Sequence, residues 1–497
     1  MLKTHWQKHN WIIVGVLLIL WGLLLFRINE PFYGHHESGL VWMGSAIRMF
    51  NQYGPEATNF LPIRTPGPST PETGLYYLHH PPLIVWFSAI STYLFGYYQD
   101  TGAPYELSLR MVGIIATMLT LPIFYALARK LTSTHIALIG SILYALAPAT
   151  VYFGRLPYYD MVVMPVILAF AYVFTRWMKA YRRSDSLVLA LLGILAMWVA
   201  WAAGFFFFVF GIIALLYGKK AHRIDITIIG VVVGLATLAI PLLYQSLRPD
   251  AVNQLITAIS ARTSNELFFS ENERFTVVEF IANYIRHMFL VVTVATTILG
   301  LIGFGFLITE RKTLKNVVLL SLFFGPLIFM LTARSSFHFH DWYKLHFLPA
   351  FSISAALVIV KVWHLKPTGI RKYGKPFIVA ILICSAVIQT YWTVYFHQRT
   401  FNPLTRQLAA ELPLHTAQDD LIGVSLNIFS VPVEYYAYRN ILWGVSAEGV
   451  EEFYQEEETV DLKYLLCEPF NNDGFFAEFD YVLMLDETCR LYHITKS

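Results

Sequence analysis

The chain has 497 residues, is 56% hydrophobic and only 14% charged, carries 38 Phe, 29 Tyr and 12 Trp, and has a formal net charge of +3. That composition excludes a soluble globule built around one core, and it carries no signature of a nucleic-acid partner. It belongs to a polytopic membrane protein.

Apolar windows near the ~20 residues needed to cross a bilayer fall at 11–28, 108–128, 135–153, 161–178, 186–202, 203–218, 226–244, 285–309, 314–333, 345–361 and 376–396. Runs this long satisfy their backbone internally only as helices, so about 11 transmembrane helices are expected. The first window looks like a secretory signal, but no small-x-small cleavage site follows Phe26-Arg27, and it is read as a retained span.

Lys and Arg fix the orientation, because short cytoplasmic loops are enriched in them. Lys3 and Lys8 precede the first span, and Arg129-Lys130, Lys179 with Arg182-Arg183, and Lys219-Lys220 with Arg223 follow even-numbered spans. Arg311, Lys312 and Lys315, then Lys361, Lys366, Arg371, Lys372 and Lys375, continue the alternation. The N-terminus is thus cytoplasmic. Residues 81–97, short and opened by two prolines, are left as a re-entrant or interface-lying helix, since a full span there would put every later basic loop outside.

Between spans one and two lies a polar outer loop, 29–107, longer than a crossing requires. It holds Tyr33-Gly-His-His-Glu37 and, about forty residues on, Tyr76-Tyr77-Leu-His79-His80-Pro81-Pro82-Leu83. After Glu37, Leu40, Met43, Ile47 and Phe50 form one stripe of an amphipathic juxtamembrane helix. Its carboxylate is expected to face the outside water, where it either takes a proton from a hydroxyl or merely helps start the helix. Pro81 and Pro82 suit a first helical turn but remove two amide donors, leaving His79 and His80 to supply any anion contacts.

Two further polar clusters fall on the same face. Tyr152, Arg155, Tyr158, Tyr159 and Asp160 precede span four, and Arg110 enters span two from the same side. Arg155 and Asp160 either neutralise each other or bind a ligand, charges near the apolar zone being costly. Later, Arg334, His338, His340, Asp341, Tyr343, Lys344 and His346 lie within thirteen residues. Four clusters converging on one face point to an active site more strongly than any single motif.

Residues 401–497 carry 17 Asp and Glu against 5 Lys and Arg, a net of 5 − 17 = −12. Leu421–Val424, Tyr464–Cys467 and Tyr481–Leu485 read as strands and 403–412 as a helix, so a small extracytoplasmic α/β domain over 398–497 is expected beside a transmembrane domain over 1–397. Cys467 and Cys489 can pair there in an oxidising compartment.

An acidic residue after span one, His-Pro-Pro-Leu opening a helix, an Arg entering the next span, an Arg-to-Asp segment before span four and a late His-Asp-aromatic-Tyr run together resemble the GT-C glycosyltransferases of the protein O-mannosyltransferase and lipid A aminoarabinose transferase type. The match covers about 1–360 and leaves the acidic domain outside. It implies a mainly α GT-C fold in the plasma (inner) membrane that passes sugar from a polyprenyl-phosphate donor to an acceptor lipid, glycan or protein at the outer face. It implies an inverting single displacement with Glu37 as base, in a His36-Glu37 pair where the family often shows Asp-Glu, with Asp160 sharing the burden. The donor and its phosphate are expected at His79, His80, Arg110, Arg155, Tyr158, His340, Asp341, Tyr343 and Lys344, with His80 in the cationic role. No cofactor is required for such a displacement. A divalent metal, zinc or magnesium, remains open at His79 with His338 or His340. A lipid-linked glycan polymerase or ligase shares this chemistry, whereas a transporter would show inverted repeats and broken midplane helices.

Overall fold

Apolar runs become helices here, and where a run is interrupted a local hydrogen bond shows why. The computed structural model describes residues 2–34, 36–264, 274–310, 313–364, 373–398, 403–424 and 430–443, with shorter stretches up to 496. The chain divides into two compact units. The first comprises 1–28, 78–91 and 109–395, and the second 29–77, 92–108 and 396–497.

Among the described residues six helices are long and apolar enough to cross a bilayer: Glu106–Leu131, Tyr159–Lys179, Lys220–Leu247, Leu314–Thr332, Asp341–His364 and Gly374–Tyr395. The window at 285–309 is a bent pair, Val277–Val291 and Val294–Thr309, that turns by 111° and makes a seventh if counted as one span. The bend has a cause: Thr293 sits at φ 85, and its hydroxyl accepts the Thr296 N–H at 3.2 Å, capping the second helix where the first ends. Trp11–Leu25, Thr134–Ala145 and Ala203–Tyr217 are apolar but shorter.

The window at 135–153 also breaks. Its helix stops at Ala145, Thr150 Oγ1 donates to the Tyr144 carbonyl at 2.6 Å, and Ala149–Phe153 continues as a π turn after Pro148. Helix Glu106–Leu131 approaches the next turn so closely that a Cβ on Gly113 would lie 2.4 Å from the Leu156 carbonyl oxygen. Only glycine fits there. Leu83–Phe95, the segment read as a non-spanning helix, has 13 residues, about 20 Å at 1.5 Å per residue, against the ~30 Å apolar core of a bilayer.

In the second unit, helix Ser38–Tyr53 carries the amphipathic stripe. Leu40, Met43, Ile47 and Phe50 are buried, as apolar residues on one helical face should be. Among its described residues the acidic segment folds as an α/β element, with helices Pro403–His415 and Ser430–Ala437 and five strands: β1 Leu421–Val424, β2 Asn440–Trp443, β3 Val460–Leu466, β4 Tyr481–Leu485 and β5 Cys489–Lys496. Their order is β2-β1-β3-β5-β4, with β1 parallel to β2 and β3, and β5 antiparallel to β3 and β4. The crossover helix Ser430–Ala437 buries Val433 and Ala437 against Leu408, Leu412, Ile422 and Ile441. Strands β2 and β5 go beyond the three segments legible in the sequence. Cys467 lies outside the described residues, and with it the pairing with Cys489.

Candidate active site

Four segments meet in the first unit. At the turn before helix Leu83–Phe95, the two prolines cannot donate, and the neighbouring carbonyls are taken by side chains. Trp201 Nε1 donates to the His79 carbonyl at 3.0 Å, and the Tyr244 hydroxyl donates to that of His80 at 3.2 Å. The His80 ring stacks on Tyr159, centroids 4.4 Å apart, and its Nε2 accepts from Arg262 Nη2 at 3.0 Å. Burial, with Arg262 and His79 beside it, holds the His80 imidazole well below its ordinary value, so it stays neutral.

The cationic role expected of His80 is therefore not its own. The charge beside it belongs to Arg262, in the last turn of helix Ala251–Thr263, where a cation also suits the helix dipole. Arg262 additionally donates to the Tyr343 hydroxyl, and Tyr343 lies in electrostatic range of Asp160. Asp160 Oδ1 in turn pairs with His346 Nε2 at 2.7 Å. The Tyr158 ring stacks on Trp342 at 5.0 Å and His340 stacks on the same indole at 4.0 Å. His80, Tyr158, Asp160, His340 and Tyr343 are thus brought into one network of contacts, and Asp341, buried, opens the 3₁₀ segment Asp341–Phe347 that carries Tyr343.

Arg262 is the residue that sequence reasoning missed. A signal for it exists: Arg248, Arg262 and Arg274 lie between the windows 226–244 and 285–309, a loop on the outer side of the charge count, where basic residues run against the positive-inside rule.

Three cations expected to bind the ligand each donate to the backbone. Arg110 and Arg155 are fully buried and donate to backbone carbonyls just after the first helix, Arg110 Nη1 to Ile28 at 2.7 Å and Arg155 Nη1 to Phe26 at 2.8 Å. They satisfy backbone carbonyls of the turn that follows helix Leu2–Leu25. Lys344, also fully buried, donates to the Phe337 carbonyl and to that of His340 at 2.8 Å, clamping the turn that delivers Tyr343.

The candidate metal set is not assembled. Among the described residues no group of three or more His, Cys, Asp or Glu side chains is placed to hold an ion. His79 packs against His80, ring centroids 5.0 Å apart, while His338 stacks on Phe275 at 4.3 Å and lies 3.2 Å from Asn283 Nδ2. Burial, then Lys344, lowers the His338 imidazole from its ordinary value.

Glu37 belongs to the second unit. It is fully buried rather than facing open water, and its Oε2 accepts the Gly34 N–H at 3.0 Å. Its own N–H closes the turn onto the Gly34 carbonyl at 2.9 Å, and His36 stands in the left-handed region at φ 61. A non-glycine residue there costs roughly 1–2 kcal/mol, so the turn holds His36-Glu37 in a conformation that the surrounding packing must enforce. Glu37 precedes helix Ser38–Tyr53 without a side-chain capping bond, so the helix-starting role has no support in the geometry.

Residues 79–244 match the family model of dolichyl-phosphate-mannose-protein mannosyltransferases. The fold is similar to that of ArnT from Cupriavidus metallidurans, solved in the apo state, at 12% identity and a TM-score of 0.61, covering 99% of this chain and 98% of that one. ArnT bound to undecaprenyl phosphate matches at 13% identity and a TM-score of 0.65, covering 97% and 98%. The archaeal oligosaccharyltransferase AglB from Archaeoglobus fulgidus, in complex with an inhibitory peptide and a dolichol-phosphate, matches at 15% identity and a TM-score of 0.58, covering 88% of this chain but 64% of that one. No curated protein sequence matches the chain. The chain has the GT-C fold of membrane glycosyltransferases and is similar to the protein O-mannosyltransferase and lipid A aminoarabinose transferase families.

Proposed function

We propose that the protein moves a sugar from a polyprenyl-phosphate donor to an acceptor hydroxyl, on a lipid, glycan or protein, at the outer face of the plasma (inner) membrane, with its N-terminus cytoplasmic and its acidic domain outside. The observation that carries this reading is Arg262, a guanidinium that holds both neutral His80 and Tyr343 and is only partly buried. A guanidinium fork with a phenol and an imidazole beside it suits a phosphate that must accept negative charge as it leaves. The similar ArnT structure with undecaprenyl phosphate supports the class of carrier. So does an apolar cavity of about 570 Å³ in the first unit, lined by Phe170, Gly193, Met197, Gly204, Phe207 and Ile229, which suits an isoprenoid chain.

The displacement balances simply. The acceptor oxygen forms the new bond to the sugar carbon, the carbon–oxygen bond to phosphate breaks, and its electron pair leaves with the phosphate. Glu37 takes the acceptor proton, and inversion at the sugar carbon follows from a single step. The Asp160–His346 pair lies in electrostatic range of Tyr343, the phenol that Arg262 also holds.

Transfer from radiolabelled polyprenyl-phosphate sugars in purified membranes, wild type against Glu37→Gln, tests the reading. Label leaving the carrier with wild type and not with the variant supports it. Equal turnover removes Glu37 as base, and no donor consumption by folded protein removes the transferase reading. A ligase passing a lipid-linked glycan would share the phosphate chemistry and release a glycan-bearing product instead.

A further inference from the structure

A second buried carboxylate, Glu106 in the second unit, takes no part in the transfer chemistry above. Its Oε1 accepts the Tyr436 hydroxyl at 2.9 Å and its Oε2 accepts the Tyr98 hydroxyl at 2.9 Å. The Tyr436 oxygen also accepts the Phe32 backbone N–H at 2.9 Å. The Tyr33 ring meets that of Tyr436 edge-on at 5.2 Å. Next in the chain is Gly34, whose N–H donates to Glu37 Oε2 at 3.0 Å. A path of direct contacts therefore runs from Glu106 through Tyr436 and the backbone of residues 32–34 to Glu37. Burial, then Glu106, holds the Tyr436 hydroxyl well above its ordinary value, so it stays protonated and remains a donor to Glu106.

The helix that carries Tyr436, Ser430–Ala437, is itself held in place. The Arg48 guanidinium lies over the Tyr435 ring at 4.3 Å and the Tyr438 ring at 4.4 Å, and donates to the carbonyls of Tyr435 and Pro66 at 2.8 Å each. The position of Tyr436 is thus over-determined, which is what a residue that sets another's geometry requires.

We propose that Tyr436 is a positioning residue for Glu37, so that the C-terminal segment takes part in transfer. The proposal rests on the reading of Glu37 as base. Removing the hydroxyl deletes the acceptor for Phe32 and a donor to Glu106, frees the turn at Gly34, and leaves the ring and its packing in place.

The test compares kcat and donor KM of the full-length protein in nanodiscs for wild type, Tyr436→Phe, Tyr438→Phe, Glu37→Asp and the pair Tyr436→Phe with Glu37→Asp. Tyr436→Phe is expected to lower kcat about 10-fold, the scale of a misplaced catalytic group, with donor KM within about twofold of wild type as the mark of a folded protein. Tyr438→Phe, which loses only exposed bonds to Gln52, is expected to keep its kcat. On the Glu37→Asp background the Tyr436 effect should shrink below about threefold, because coupled residues are non-additive. An unchanged kcat in Tyr436→Phe, or the same loss on both backgrounds, overturns the proposal while leaving an impaired Glu37→Asp as support for the base. Wild-type kcat in Glu37→Asp instead removes the base reading, and the positioning role falls with it.

Discussion

Asp160 Oδ1 and His346 Nε2 lie 2.7 Å apart although 186 residues separate them. Asp160 lies in the first turn of helix Tyr159–Lys179, and His346 in the last turn of the 3₁₀ segment that carries Tyr343. The His346 ring is flanked by Phe206 and Phe329, centroids 5.8 and 5.7 Å away, so the pair is closed off on its apolar side. A buried pair of this kind contributes little net stability by itself, but removing one partner strands the other. Asp160→Ala is therefore expected to destabilise by about 3 kcal/mol. Asp160→Asn, which keeps a bond to the imidazole, should cost about 1 kcal/mol. Thermal unfolding of the two variants in detergent gives the order directly, and equal losses would mean the bond itself is immaterial.

Arg262 should control donor affinity. Arg262→Ala is expected to raise donor KM about 10- to 100-fold, the worth of a charge-assisted hydrogen bond of ~1.5–3 kcal/mol. Arg262→Lys should recover only part of it, because an ammonium keeps the charge and loses the fork that reaches His80 and Tyr343 together. Steady-state kinetics with varied donor decides the point. A KM unchanged in Arg262→Ala would move the phosphate elsewhere.

His80 predicts the pH behaviour of that affinity. Its imidazole sits well below the ordinary value, chiefly through burial and then through Arg262 and His79. It therefore does not titrate between about pH 6 and 8, and a sugar phosphodiester does not titrate there either. Donor KM should be flat across that range, whereas a cationic His80 would make it rise as pH passes ~6.5. Stability has the opposite tell-tale. A histidine with a lowered folded value binds fewer protons in the fold than in the unfolded chain. Its contribution is intact above ~6.5 and is lost as pH falls from there through the folded value. His80→Gln should flatten that acid-side loss, read as Tm against pH.

Glu434 gives a second pH signature in the second unit. Burial raises its carboxyl to about 7, against lowering by the Gly67 N–H that it accepts and by nearby Arg48. Since the fold binds this proton more tightly than the unfolded chain, stability is highest below ~4.5 and declines as pH rises towards about 7. Glu434→Gln should remove the decline and stabilise the protein at pH 8 by on the order of 1–2 kcal/mol, after allowance for partial solvent screening. Denaturation of the variant at pH 5 and pH 8 measures the difference. A gain that is the same at both pH values would point to packing instead of ionisation.

Much of the helical scaffold was legible because twenty apolar residues in a row admit few other structures, and because the stripe Leu40, Met43, Ile47, Phe50 has helical spacing. Segments β1 and β4 were legible for the same local reason, whereas β2 has only four residues and owes its place to pairing with β1. The bend at Thr293 was hidden inside a continuous apolar window, since a φ of 85 at a threonine is enforced by packing and by its cap to Thr296.

By itself, the sequence determined that this is a helical membrane protein and which residue types could hold a phosphate or take a proton. Those follow from composition and from the cost of charge in hydrocarbon, both properties of short stretches. The tertiary structure alone decided how the charges are used. Arg110, Arg155 and Lys344 look alike in sequence as cations at one membrane face, and the fold gives each of them a backbone carbonyl as an acceptor. Arg262 looks ordinary in sequence, and it stands beside His80 and Tyr343 because chain segments 182 and 81 residues away fold against it, a juxtaposition that no local pattern encodes.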